Sequence, residues 1–151
     1  MSSTPIDIVK VFYGTFSLMG ASKAGLYLAA DFQSFGFTPA PIDRETWIQF
    51  LTALKRAVPD MKIRLTNVRA EGDQVWFTEM GLGTHRLPMD LSAFDLPEIP
   101  ADGAPVTFPS SDWVLTVDGS KIARAELVNP SPETGLPGML HAFNVQPALV
   151  G

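Results

Sequence analysis

The stretch from Asp43 to His85 constrains the fold most. Trp47, Phe50, Leu51, Leu54 and Val58 recur at the three- and four-residue spacing of one helix face. Asp43 is suited to cap that helix, Glu45 falls in its first turn and Lys55 and Arg56 in its last, each sign matching its end of the helix dipole. Pro59 stops it. Met61, Ile63 and Leu65 then alternate as strand residues do, and the phase slips near Thr66-Asn67 before Val68 and Ala70. Such a slip predicts a β-bulge, which bends a sheet. Glu71-Gly72-Asp73 makes a tight connection to a long strand over 74–85. That strand is apolar on both faces yet carries Glu79 mid-way. The pattern predicts an α+β cone: a curved, mostly antiparallel sheet wrapped on three N-terminal helices, with an internal pocket.

The flanking segments fit this plan. Thr4-Pro5 reads as an N-cap with proline at the first helical position. Val9, Phe12, Tyr13, Phe16 and Met19 follow at helical spacing, and Gly20 is a stop. The apolar run 11–21 after Lys10 also has a leader-like look, but Asp7 and the helical spacing favour a folded helix. Ser22 can cap a shorter helix to Ala30 with Leu26, Ala29 and Ala30 inward, before a strand over 31–37. The proline-rich stretch 86–105 reads as an excursion between strands with one helical turn near Leu91–Phe94, and long loops of this kind are often lids or mobile. Phe108 and 113–117 give a strand, Asp118-Gly119-Ser120 a hairpin turn, 122–128 the last strand, and Leu136, Met139, Leu140 and Phe143 a short closing helix.

Composition narrows the function. Hydrophobic residues make up 46% of the 151 and charged ones 18%, enough for a real core. The net charge of −5 and the lack of a basic stripe argue against nucleic acid or an anionic membrane as partner. No apolar run is long enough to span a bilayer. Without cysteine there is no disulfide, thiolate metal site or cysteine nucleophile, which fits a reducing, cytoplasmic setting. Two histidines, His85 and His141, leave little for a His-rich metal site.

Several short segments, taken in order, resemble a known family. They are Ala30-Asp31-Phe32, the Trp47 to Asp60 helix and break, 68–75 around Glu71-Gly72-Asp73, Gly83-Thr84-His85, the Asp118–Ile122 turn and 135–140. Together they resemble the nuclear-transport-factor-2-like (cystatin-like) fold and, within it, the SnoaL-like polyketide cyclases, over 1–151 as a single domain. The resemblance implies ring closure by intramolecular aldol chemistry without metal or cofactor, using an acidic residue and a histidine on the last strands. Counted from the Asp118–Ile122 turn, those positions fall near Asp112/Trp113 and Glu126/Leu127, where no histidine stands.

Glu79 is the sharpest candidate for chemistry. It shares a strand face with Val75 and Phe77, and desolvation there would raise its pKa toward general acid or base work. The plainer reading has it at the rim, or paired with Arg64 or Arg69. His85, six residues on, could relay protons with Glu79 or simply bond the 86–105 loop. Asp112 can be catalytic or cap the turn at 109–111; Glu126 can face a pocket or solvent beside Arg124. Tyr13, Phe16, Phe32, Trp47, Phe77 and Trp113 are expected at the ligand or in plain core, and a buried Tyr13 hydroxyl needs a partner. Gly81 and Gly83 suggest backbone bends.

Trp76, Met80 and Leu82 on the other face of the long strand predict a homodimer. Three functions stay open: a cofactor-independent cyclase, isomerase or related lyase acting on a hydrophobic, carbonyl-bearing small molecule; non-catalytic binding of an apolar ligand; or an accessory dimerisation domain.

Overall fold

The computed structural model describes residues 4–143. Helix α1 (Pro5–Met19) opens with a capping box, in which Thr4 and Asp7 bond each other's backbone N–H. It buries Ile8, Val9, Phe12 and Phe16. A single turn, α2 (Ala21–Ala24), and a 3₁₀ turn over Gly25–Tyr27 lead into β1 (Leu28–Phe35). The short β2 (Ile42–Asp43) runs into α3 (Arg44–Ala57), capped as expected by the Asp43 carboxylate on the Thr46 N–H at 2.9 Å. Strands β3 (Lys62–Glu71), β4 (Gln74–Thr84), β5 (Pro105–Asp118) and β6 (Lys121–Leu127) follow, and α4 (Gly135–Ala142) comes after them.

The six strands form one sheet in the order β2-β1-β6-β5-β4-β3, antiparallel except for β1 beside β6. The helices pack into its concave side. The expected bulge is where the phase slips: Thr66 faces Thr78 and Arg69 faces Trp76, so Asn67 and Val68 stand opposite Phe77 alone. Asn67 takes a left-handed φ of 55°, which an asparagine tolerates better than most residues. A second bulge lies in β5, where Pro109 and Ser110 stand opposite Met80. Proline is admitted inside a sheet at such a site, because it has no N–H to give the ladder.

Two expectations need correction. The second helix does not reach Ala30. Leu28 already pairs with Ile122 of β6, so sheet pairing overrides the local helical pattern, and Leu26 (58% exposed) and Ala30 point to solvent. The strand accordingly spans Leu28–Phe35, where the spacing suggested 31–37. The 86–105 excursion packs onto the core. Met89 and Ile99 exchange backbone hydrogen bonds at 2.9 and 3.0 Å, and both are buried with Leu91. Its expected helical turn is the 3₁₀ turn Ser92–Phe94.

Gly81 and Gly83 serve close approach. A Cβ on Gly83 would stand 2.4 Å from Val58 Cγ1 and 3.1 Å from Met61 Cα, so the end of α3 lies directly on β4. Gly83→Ala is therefore expected to cost about 1–3 kcal/mol, as overpacked cores do. Gly14→Ala, in an exposed helical position with nothing within 4 Å of the added methyl, is expected to gain up to about 1 kcal/mol. Urea unfolding midpoints check both, and equal midpoints for the two variants would contradict the packing account.

Candidate functional site

The site grows from strand alternation. On β4, residues 75, 77, 79, 81 and 83 share the concave face. Val75 and Phe77 are buried there, and Glu79 continues the row between Leu65 of β3 and Ser111 of β5. Helix α1 crosses this row. Its Tyr13 ring meets Phe77 edge-on at 5.7 Å and Phe12 at 5.2 Å, which aims the phenol at Glu79. The Tyr13 hydroxyl donates to Glu79 Oε2 at 2.6 Å, a short charge-assisted length when the carboxyl is ionised. Both residues are half-buried, and so is the bond between them.

Beside this pair is a cavity of ≈ 90 Å³ as measured by the room for the centres of water molecules. A single water needs ~10–15 Å³ on that measure, so the space is several times larger than a structural water requires. Tyr13, Phe16, Phe32, Trp47 and Trp113 line it, together with Phe12, Phe37, Phe50 and Phe108. Among the described residues Glu79 is the sole carboxyl in this wall, and the Trp113 indole N–H is already given to Ser111 Oγ at 3.1 Å. Met61 and Met139 border the space as well, as do Met80, Gly81 and Pro109 at the β5 bulge. Thioethers adapt easily to different shapes.

Desolvation holds the Glu79 carboxyl above its ordinary pKa, and the hydrogen bond from Tyr13 opposes that rise. The Tyr13 hydroxyl is held well above its own ordinary value, first by burial, then by the charge and hydrogen bond of Glu79. The pair thus consists of a phenol that keeps its proton and a carboxyl that gives its proton up reluctantly.

The other residues singled out in the sequence lie elsewhere. His85 follows the end of β4 and does not line the cavity. It is buried beneath the 86–105 segment, with Nδ1 3.8 Å from Asp102 Oδ1 and its ring 4.7 Å from that of Phe143. A direct relay with Glu79 is replaced by contact with that segment, because the strand ends at Thr84 and the chain turns away. Asp112 is exposed on the convex face, accepting a hydrogen bond from Thr78 Oγ1 at 2.7 Å. Glu126 pairs with Arg124 at 2.8 Å, also on that face. Phe77 supports Tyr13 without lining the cavity. Glu79 pairs with neither Arg64 nor Arg69: Arg69 stacks over Trp76 at 5.1 Å, and Arg64 stands opposite Met80, on the convex side. Met80 was assigned to the convex face alone, yet it borders the cavity as well. Phe37, Phe50 and Phe108 are wall residues the sequence did not single out. Phe50 was visible only as one of the α3 stripe, and nothing local marks Phe108.

No protein-family model matches the chain, and no curated protein matches it. Solved structures do. A candidate SnoaL-like polyketide cyclase from Jannaschia sp. CCS1 aligns at a TM-score of 0.66 with 18% identity, over 83% of this chain and 85% of that one. IdmH, a candidate polyketide cyclase from Streptomyces antibioticus, aligns at 0.67 with 21% identity, over 95% and 100%. A protein of ketosteroid-isomerase-like fold from Catenulispora acidiphila, solved with trimethylamine, aligns at 0.63 with 16% identity, over 95% of each. The chain therefore has the fold of the SnoaL-like and ketosteroid-isomerase-like proteins, an α+β cone of the nuclear-transport-factor-2 type.

The raised pKa of Glu79 has a consequence for stability. A carboxyl that holds its proton more tightly in the folded chain stabilises the fold fully below its unfolded pKa of about 4.3. That contribution is lost as pH rises through the folded value. Glu79→Gln retains an acceptor for Tyr13 and carries no charge. It is expected to melt above the parent at about pH 8, with the gap closing toward about pH 4. Thermal melts across that range check this, and a variant melting below the parent at the alkaline end would contradict it.

Proposed function

We propose that the chain works as one domain whose cavity binds a hydrophobic, carbonyl-bearing small molecule, and that Glu79 moves a proton on it. The hydrogen bond of 2.6 Å between Tyr13 and Glu79, set in an aromatic wall, carries this reading. Ionised Glu79 takes a proton from the carbon next to the carbonyl, leaving an enolate. Once Glu79 is protonated it no longer claims the phenol as strongly, and Tyr13 can donate to the developing oxyanion. Return of the proton to a different carbon gives an isomerase. Attack of the enolate carbon on a second carbonyl of the same molecule, with the proton passed to the new alkoxide, gives a cyclase or, in reverse, a lyase. The reading is supported by the raised pKa of Glu79, which brings a carboxyl closer to the strength a general base needs.

Proton exchange tests this without knowledge of the natural substrate. A bicyclic ketone such as 2-tetralone, incubated with the protein in D₂O, is expected to lose its α-proton signals in NMR spectra. The rate should rise with pH through the raised pKa of Glu79, because the ionised form is the base. Glu79→Gln should lower the rate by roughly 10²-fold or more, the usual worth of a general base. Tyr13→Phe should lower it less. A rate unchanged in Glu79→Gln would remove that residue from the chemistry.

One observation favours a second reading, non-catalytic binding of an apolar ligand. The hydroxyl of Tyr13 and the indole N–H of Trp113 are both already engaged, so the wall has few free donors. In that case the ketone binds with no exchange above buffer.

We also propose a homodimer through the convex sheet face. Met80 (44% exposed) and Leu82 (55%) lie there beside partly buried Trp76, and exposed apolar groups of this size favour a partner. Leu82→Lys is expected to shift the sedimentation coefficient from dimer to monomer. A parent that sediments as a monomer at every concentration would contradict the dimer.

A further inference from the structure

We infer that the cavity is a charge filter set by Glu79, and that its substrate carries no carboxylate, phosphate or sulfate on the part that enters. The inference rests on the small-molecule reading above and narrows it to a chemical class: an uncharged hydrophobic carbonyl compound, with a protonated amine tolerated in its place.

Three observations converge on it. First, no Lys, Arg or His lines the cavity among the described residues. Three basic groups are engaged with other partners. Lys55 Nζ stands 5.8 Å from the Phe16 ring centre and donates to the Ser17 carbonyl at 2.7 Å. Arg44 is tied to the Gly25 carbonyl at 2.9 Å, and Arg124 to Glu126. Second, the wall's polar hydrogens are spent. The Tyr13 hydroxyl goes to Glu79 and the Trp113 indole to Ser111, whereas a buried anion needs charge-assisted donors to replace its water. Third, the wall is built of phenylalanine and tryptophan, whose ring faces attract a cation and which offer an anion no formal positive charge. Ionised Glu79 adds a full negative charge in a poorly screened space. Among the described residues the Tyr13 bond uses Oε2 of Glu79 and leaves Oε1, an acceptor when the carboxyl is ionised and a donor when it is protonated. Ionised Glu79 accepts from an ammonium group, leaves a neutral ketone to the apolar wall, and repels an anion.

The test compares three probes built on the same bicyclic skeleton: 2-tetralone, 2-naphthoate and protonated 2-aminotetralin. Trp47 and Trp113 line the cavity, so quenching of tryptophan emission reads occupancy, with titration calorimetry as a second readout. In the parent near neutral pH the ketone and the amine are expected to bind, and the naphthoate about 100-fold more weakly than the ketone. In Glu79→Gln the naphthoate deficit should shrink by about tenfold and the amine should lose about tenfold, while the ketone changes by less than about threefold. Naphthoate within about tenfold of the ketone in the parent would overturn the filter, as would a deficit that Glu79→Gln leaves untouched. If none of the three binds, the small-molecule reading itself falls and the filter with it. The failures are distinguishable: in the first two the ketone still binds.

Discussion

The half-buried carboxyl of Glu79 organises the concave side of this protein. Its cost is electrostatic: an ionised group taken from water into an aromatic cavity loses hydration that the wall does not replace. The chain offsets that cost with one hydrogen bond, from Tyr13 on a different element sixty-six residues away in sequence. The geometry of that bond depends on the rest of the fold. Helix α1 has to cross β4 at the level of Phe77, and β4 has to present residue 79 to the inside. The capping box fixes the start of α1, and the β3 bulge at Asn67 resets the strand phase so that Leu65 and Ile63 share the concave face with Glu79.

The aromatic wall is a structural device as much as a binding one. Phe37, Trp47 and Phe50 pack at centroid distances of 5.1 to 5.5 Å. Such pairs add about 0.5–1.5 kcal/mol each beyond their burial. Rings are rigid, so where they meet at steep angles they leave space that flexible aliphatic chains would fill. The cavity persists between these rings and the methionines at its border. The docked 86–105 segment closes another part of the molecule and leaves this space alone: its buried Met89, Leu91 and Ile99 belong to the core, and none of them lines the cavity.

Much of this architecture was legible in the sequence because it is written in local patterns. The α3 stripe, the Asp43 cap, the phase slip at Thr66-Asn67 and the Gly72 turn are each a few residues long, and each is present as expected. Glu79 was legible for the same reason, since period two alone puts it beside Phe77. The readings that failed or stayed open depend on contacts between distant segments. Leu28 leaves its helix because β6 offers a parallel neighbour. His85 lies just past β4, its backbone bonded to Gly103 and Ala104 and its ring against Phe143, which no local pattern foretells. Asp112 and Glu126 were placed by counting from a turn, and register decides their face: Asp112 stands opposite Thr78 and Glu126 opposite Val114, both outward. The sequence marks Tyr13 as a wall or core aromatic whose hydroxyl needs a partner, and no local signal names Glu79 as that partner.

The account stands on Glu79 being a carboxyl starved of water and held by Tyr13. Carbon-13 NMR of the Glu79 side-chain carboxyl, titrated in the parent and in Tyr13→Phe, measures this directly. The parent is expected to titrate above the ordinary glutamate value of about 4.3, and the variant higher still, because the phenol's hydrogen bond is what opposes the rise. A Glu79 that titrates at or below the ordinary value, or one unmoved by loss of the phenol, would contradict it.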